Sequence, residues 1–306
     1  MLTPDHIREA AVRIQPIAHR TPLLTSHLVN AATGLHCYFK CENFQRGGAF
    51  KIRGAANFLF SIPPAEIHRG VVAFSSGNHA QAVAIAAAYK NTTATIVMPH
   101  DAPQAKLEAT KAYGATVIQF NRFTEDREAI GARIAAETGA TLVPPFDHEW
   151  IIAGQGTAAL ELLEEMPDVD ALVVCLGGGG LLSGSAIIAK AIRAGIRVFG
   201  VEPESGNDYY LSRKAGQRVS IAPPDTIADG LRCTKPGVLT FPIVEKLVEQ
   251  IVLVSDQEIL SAMEFLRTRM KIVVEPSGAV GAAACLFHKL PAGIRSAGII
   301  LSGGNL

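Results

Sequence analysis

The run ALVVCLGGGGLLSGSAIIA, residues 171–189, carries no charge and approaches the length of a membrane span. Four successive glycines, 177–180, stand in its middle. Each costs an α-helix about 1 kcal/mol relative to alanine, so an unbroken spanning helix fails there. The run reads instead as a short strand over 171–176, a glycine turn and a new helix. Outward from it the same unit recurs. Short apolar, β-branched runs at 71–73, 95–98 and 116–120 each precede a longer helical stretch, at 78–89, 103–113 and 125–137. The rhythm resumes with runs at 172–175, 197–201, 251–254 and 299–301. Strands alternating with helices predict an α/β fold whose parallel sheets are covered on both faces. Two sheet regions are expected, divided near the loop 144–148.

In open parallel sheets, ligands sit beyond the carboxyl ends of the strands. Here those positions read SSGNH (75–79), GGGG (177–180), EPESGND (202–208) and SGGN (302–305). In the second of these, consecutive backbone N–H groups are free to point into one concavity beside a helix N-terminus, which suits a phosphate. The loop lacks the Lys-Ser/Thr ending of a P-loop, so nucleoside triphosphate hydrolysis is not expected. Tight strand-to-helix packing would also use glycines, so the loop needs company to define a site.

The bulk composition narrows the partner. Among 306 residues, 28 basic and 28 acidic side chains cancel, and no long run of one sign appears. Nucleic acid and membrane surfaces are therefore not expected as partners, and a small molecule is. The length exceeds the roughly 250–300 residues at which single cores stop growing, so two lobes with a cleft are affordable. Cys37, Cys41, Cys175, Cys233 and Cys285 are odd in number, scattered, and form no CxxC pair. Neither a disulfide framework nor a zinc cluster follows, and a cytoplasmic location is expected. Asp5, Arg8 and Glu9 interrupt the place where a signal peptide would be apolar, while Ile7, Ala11 and Ile14 share one helical face. An ordinary first helix is expected.

Lys51 ends the segment KCENFQRGGAFK (40–51), after a glycine turn and beside Phe50. Burial and neighbouring cations lower a lysine's pKa and make the amine nucleophilic, as Schiff-base chemistry requires. A lysine taken alone is ordinarily a solvated surface charge. This one does not stand alone. The pieces KCENFQRGGAFKIRGA (40–55), SSGNHAQAVA (75–84), IAGQGT (152–157), GGGG (177–180), VEP (201–203), IADG (227–230), EPSGA (275–279) and LSGGN (301–305) span nearly the whole chain. In identity and order they resemble the threonine dehydratase and serine racemase family of fold-type II pyridoxal phosphate enzymes.

The resemblance implies a two-lobed arrangement of open, twisted parallel sheets like that of the tryptophan synthase β chain. Residues 1–69 and 149–306 would form a large cofactor-binding lobe, and 70–148 a small mobile one. It implies a homodimer. It also implies that Lys51 holds pyridoxal 5'-phosphate as a Schiff base, that Phe50 lies against the ring, and that Asn78 binds its 3-oxygen. Gly177, Gly178, Gly179 and Gly180 would hold the phosphate, and Ser302 would face the ring nitrogen. A neutral hydroxyl cannot keep that nitrogen protonated, so the ring is a weaker electron sink, which favours β-elimination over lingering carbanion chemistry.

Ser75, Ser76 and His79 would then bind the substrate carboxylate at a helix start, a position where serine and asparagine also serve as ordinary caps. Ser76 matches the hydroxyl that acts in racemases as acid or base on the face opposite the lysine. Arg127 matches an arginine near the carboxylate, although within EDRE it also reads as a solvated charge. Glu202, the carbonyl of Gly206 and Asp208 match the racemase metal loop, and such oxygen ligands suit Mg, Ca or Mn. Cys233 takes the place of a serine near the substrate carboxylate in animal racemases, and a thiol is the weaker hydrogen-bond donor.

The expected activity is a lyase that converts a small β-hydroxy amino acid, L-threonine or L-serine, to a 2-keto acid and ammonia. An amino-acid racemase and a 3-hydroxyaspartate dehydratase are the alternatives. Gly47-Gly48-Ala49 departs from the family's Thr-Gly-Ser or Thr-Gly-Ala, losing a hydroxyl near the site and leaving substrate choice open. The chain ends two residues after Gly304, so the C-terminal regulatory domain of biosynthetic threonine dehydratases is not expected. A dinucleotide-dependent dehydrogenase would need GxGxxG opening an early helix, which the first half lacks. A non-catalytic amino-acid-binding protein would have no use for Lys51.

Overall fold

A computed structural model describes residues 2–306. Its ten strands are β1 (Leu23–Thr25), β2 (His36–Cys41), β3 (Val71–Phe74), β4 (Ala94–Pro99), β5 (Thr116–Phe120), β6 (Thr141–Leu142), β7 (Ala171–Cys175), β8 (Arg197–Pro203), β9 (Gln250–Val254) and β10 (Ser296–Leu301). They form a six-stranded sheet in the order β1-β2-β10-β7-β8-β9 and a four-stranded sheet in the order β5-β4-β3-β6. Every pairing is parallel except that of β1 with β2. All five residues of β7 are buried, as a strand covered by helices on both faces requires. The helix Gly180–Ile192 follows it directly after the glycines, so the uncharged run is strand, turn and helix. Among the described residues no helix is long and apolar enough to cross a membrane, and all five cysteines are free.

The larger sheet reaches further back in the chain than the apolar runs indicate. β2 lies between β1 and β10, with Phe39 opposite Ile299. Its sequence, HCYFKC, hides this because Lys40 interrupts the apolar pattern. Lys40 is nonetheless fully buried, and its Nζ meets Glu161 at 2.7 Å and the carbonyl of Thr21 at 2.7 Å. Beside it Arg53, also fully buried, donates to Glu42 at 2.7 and 2.8 Å and to Glu161 at 2.6 and 2.9 Å. Two cations and two carboxylates thus compensate one another. Removing any one would leave a buried charge unpaired, at a cost of about 3–5 kcal/mol.

This cluster anchors the helix Lys51–Ser61 two residues beyond Lys51. The four-stranded sheet takes all its strands from 71–142. Its apolar core, however, also includes Ile52, Ala55, Ala56, Phe58 and Leu59 from that helix. The same helix packs against Glu149–Glu165 on its other side. Gly154 permits the approach, since a Cβ there would run into the carbonyl of Arg53. Lys51 therefore sits at the head of a helix wedged between the two sheets.

Candidate active site

Four strand ends and the lysine turn converge. Gly47 and Gly48 have φ of +71° and +72°, the left-handed region that favours glycine. A Cβ on Gly48 would collide with Asn305. The turn is stitched to the segment after β10: Phe50 N–H donates to Ser302 O at 3.0 Å, Gly304 N–H to Gly48 O at 2.9 Å, and Asn305 Nδ2 to Gly47 O at 2.8 Å. Asn305 Nδ2 also donates to Asn78 Oδ1 at 2.9 Å, and Asn78 Nδ2 donates to Glu275 Oε1 at 2.7 Å. Hydrogen bonds thereby bring Phe50, Lys51, Asn78 and Ser302 together.

Lys51 Nζ donates to the carbonyl of Pro145 at 2.9 Å. Burial holds its pKa below the ordinary lysine value, against the nearby Cys233, Cys175 and Glu275. An amine so placed loses its proton more readily and becomes a nucleophile and base. Phe146 follows Pro145 and lies against Gly178, where a Cβ would overlap its ring. The N–H groups of Gly177, Gly178 and Gly179 find no protein acceptor among the described residues, and the free first turn of the helix Gly180–Ile192 continues the row. Unpaired amides ahead of a helix N-terminus fit a phosphate. Ser302 is 2 % exposed, and its hydroxyl hydrogen-bonds the Cys175 thiol, which burial pushes up to about 11. No permanent charge sits on that hydroxyl.

The substrate-side residues divide. Ser76 is partly exposed and its hydroxyl has no protein partner among the described residues. Ser75 Oγ accepts the N–H of Gly77 at 3.1 Å, so it closes the turn while its proton remains available. His79 departs from the expected role. It is 3 % exposed, its Nε2 lies 3.2 Å from the carbonyl of Val143, and burial, with Lys51 adding to it, lowers its pKa to about 3. A neutral imidazole there ties the start of the helix Asn78–Tyr89 to the segment that follows β6 and does not attract a carboxylate. Arg127 opens the helix Arg127–Thr138, with its guanidinium carbon 5.5 Å from the centroid of Phe74 at the end of β3, and its charge acts on Cys233. It faces the cleft. Lys106, in the helix Gln104–Ala112 that follows β4, pairs with Asp229 at 2.5 Å.

Glu202 and Asp208 are both fully buried. Glu202 accepts the N–H of Tyr209 at 3.1 Å and of Tyr210 at 3.0 Å, whereas the carboxyl of Asp208 lies against that of Glu202 and finds no other side-chain partner among the described residues. Burial raises the pKa of both, and their mutual repulsion adds to it for Glu202. Two buried carboxyls in contact at a turn fit a hard divalent cation. Among the described residues no group of three or more His, Cys, Asp or Glu forms a metal cluster. Backbone carbonyls and water would have to complete the coordination.

Sequence reasoning passed over Glu275, Asn305, Pro145 and Cys175. Glu275 stands in EPSGA, where an acid before a proline reads as a helix start. The others act through backbone, a chain-end amide, or a residue type with weak signals of its own.

A lysine of lowered basicity, a phosphate cradle of unpaired amides and a neutral hydroxyl at a sheet's carboxyl edge define an enzyme that works through a phosphorylated carbonyl cofactor. The family model for "Pyridoxal-phosphate dependent enzyme" matches residues 14–303. The L-threo-3-hydroxyaspartate ammonia-lyase of Saccharomyces cerevisiae is 51 % identical over 308 residues, covering 100 % of this chain and 94 % of that protein. The serine racemase of Schizosaccharomyces pombe is 48 % identical over 304 residues, covering 99 % and 94 %. The structure of maize serine racemase superposes with a TM-score of 0.97 at 44 % identity, covering 100 % and 94 %. The chain belongs to the pyridoxal-phosphate dependent enzyme family.

Proposed function

We propose that this chain is an ammonia-lyase for a small β-hydroxy amino acid, with 3-hydroxyaspartate its best substrate. The observation that carries the reading is Lys51: a partly buried lysine whose amine, of lowered pKa, lies 2.9 Å from a carbonyl and near the Cys175 and Cys233 thiols and the Glu275 carboxyl. Pyridoxal phosphate, held by Lys51 and Gly177 to Gly180, would supply the electron sink that acidifies the substrate's α-hydrogen. The protein does the rest. Lys51 takes the α-proton, and the Pro145 carbonyl accepts a hydrogen bond from the ammonium that results. Ser302, being neutral, leaves the sink weak, so loss of the β-hydroxyl as water outruns return of the proton. Ser76 offers a proton on the second face, which permits some racemisation. Hydrolysis of the unsaturated amine then yields the keto acid and ammonia.

Arg127 selects among substrates. Its guanidinium at the cleft mouth offers a partner to a second carboxylate, which serine and threonine lack. Glu202, Asp208 and the Gly206 carbonyl hold Mg, Ca or Mn. We extend the proposal to a homodimer in the reducing cytoplasm, with residues 70–148 moving against the rest. The purified enzyme should release oxaloacetate from L-threo-3-hydroxyaspartate faster than pyruvate from L-serine or 2-oxobutyrate from L-threonine. A higher kcat/KM for threonine would overturn the substrate choice, and no keto acid from any of the three would overturn the lyase.

A further inference from the structure

The glycine loop is held from behind by two side chains that the chemistry above does not use. Tyr209, fully buried, donates from its hydroxyl to the carbonyl of Gly178 at 3.0 Å. Thr240 Oγ1, also buried, donates to the same carbonyl at 2.9 Å, and the two hydroxyl oxygens lie 2.6 Å apart. Two hydroxyl protons thus serve a triangle of three oxygens. Every allocation that uses both leaves the Gly178 carbonyl with at least one donor. Because the peptide unit is planar and trans, fixing that carbonyl fixes the Gly179 N–H, which points the opposite way. Gly179 itself has φ of +89°, and a Cβ there would run into the Tyr209 hydroxyl, so the contact also requires glycine.

Tyr209 is the residue after Asp208, and its own N–H is bound by Glu202. The acid pair therefore seats the backbone at one end of Tyr209, and the cofactor cradle is gripped at the other. Both carboxyls are buried side by side, one at the end of β8 and the other at the start of the helix Asp208–Ala215. A divalent cation between them would draw the two together and fix the place from which the tyrosine ring extends.

We propose that Tyr209 is a positioning residue that couples the Glu202 and Asp208 pair to the phosphate cradle, so that a divalent cation at the pair slows loss of the cofactor. The inference rests on the cation reading of the pair and deepens it. Thr240 is the second support of the same carbonyl.

The test starts from the holoenzyme, freed of metal by chelation. Release of pyridoxal phosphate into an excess of a cofactor-free acceptor enzyme is followed by absorbance, with and without saturating magnesium. Magnesium binding is measured separately by calorimetry. Magnesium should slow release from the wild type at least about fivefold, the low end of ordinary site-to-site coupling. Tyr209→Phe should still bind magnesium, but the ratio of the two release rates should fall below about twofold. Thr240→Val should lower the ratio less. A merely structural loss would speed release equally in both conditions and preserve the ratio, and that result in Tyr209→Phe would overturn the relay. If circular dichroism shows Tyr209→Phe unfolded, an unchanged ratio in Thr240→Val overturns it instead. Magnesium that binds without slowing release sinks the relay alone. Absence of magnesium binding to the wild type sinks the cation reading and the relay together.

Discussion

Glu275 offers a quantitative test of the site's electrostatics. It is 3 % exposed, directly precedes the helix Pro276–Leu286, and accepts the Asn78 amide at 2.7 Å. Burial, reinforced by the Asp229 carboxylate, raises its pKa from the ordinary 4.5 to about 7, against the Asn78 amide and Lys106. In the unfolded chain the carboxyl ionises near 4.5, whereas in the folded protein it keeps its proton to about 7. Below the lower value both states are protonated and the group is neutral in its effect. Between the two values only the unfolded state sheds its proton, so stability falls as pH rises. Above the upper value the loss is complete. At about 1.36 kcal/mol for each pKa unit, the gap amounts to about 3 kcal/mol. Glu275→Gln keeps the side chain's size and the oxygen that faces Asn78, yet has no proton to lose. Urea unfolding of the cofactor-free protein should show the variant close to wild type at about pH 4.5 and more stable by about 3 kcal/mol at about pH 8. A difference that stays constant with pH would show that the carboxyl is not held protonated, and the electrostatic argument would fail.

Two further outcomes test the chemistry. Lys51→Ala should retain the glycine cradle and bind pyridoxal phosphate weakly, while borohydride reduction of the wild type followed by peptide mapping should place the label on Lys51; a label on Lys40 would refute the assignment. Cys233 lies near Lys51 and Arg127, and burial pushes its thiol up to about 12, so it is a neutral and weak donor to a substrate carboxylate; Cys233→Ser should raise the rate of D-serine formation relative to pyruvate from L-serine severalfold, measured by chiral chromatography alongside keto-acid release, and an unchanged or lower ratio would remove the thiol from specificity.

What the sequence shows and hides follows from the kind of force involved. β7 and the helix after it are legible because apolar continuity and four glycines are local signals, and local signals sufficed for β3, β4, β5 and β8 as well. β2 is not, because its place depends on Lys40 finding Glu161, a partner far along the chain. His79 shows the same limit in reverse: its motif predicts a ligand, but the carbonyl that claims its ring lies 64 residues away. Lys51 itself is visible only through the company of its motif, since the carbonyl of Pro145 and the burial that set its basicity are products of packing. The glycine loop is the instructive middle case. Its phosphate-binding face is written in four consecutive letters, while the face that holds it rigid is made by Tyr209 and Thr240, which no local pattern joins to it. A site of this kind therefore has one surface that can be read from residue types in a row and another that only the fold discloses, and the second decides how firmly the first can grip.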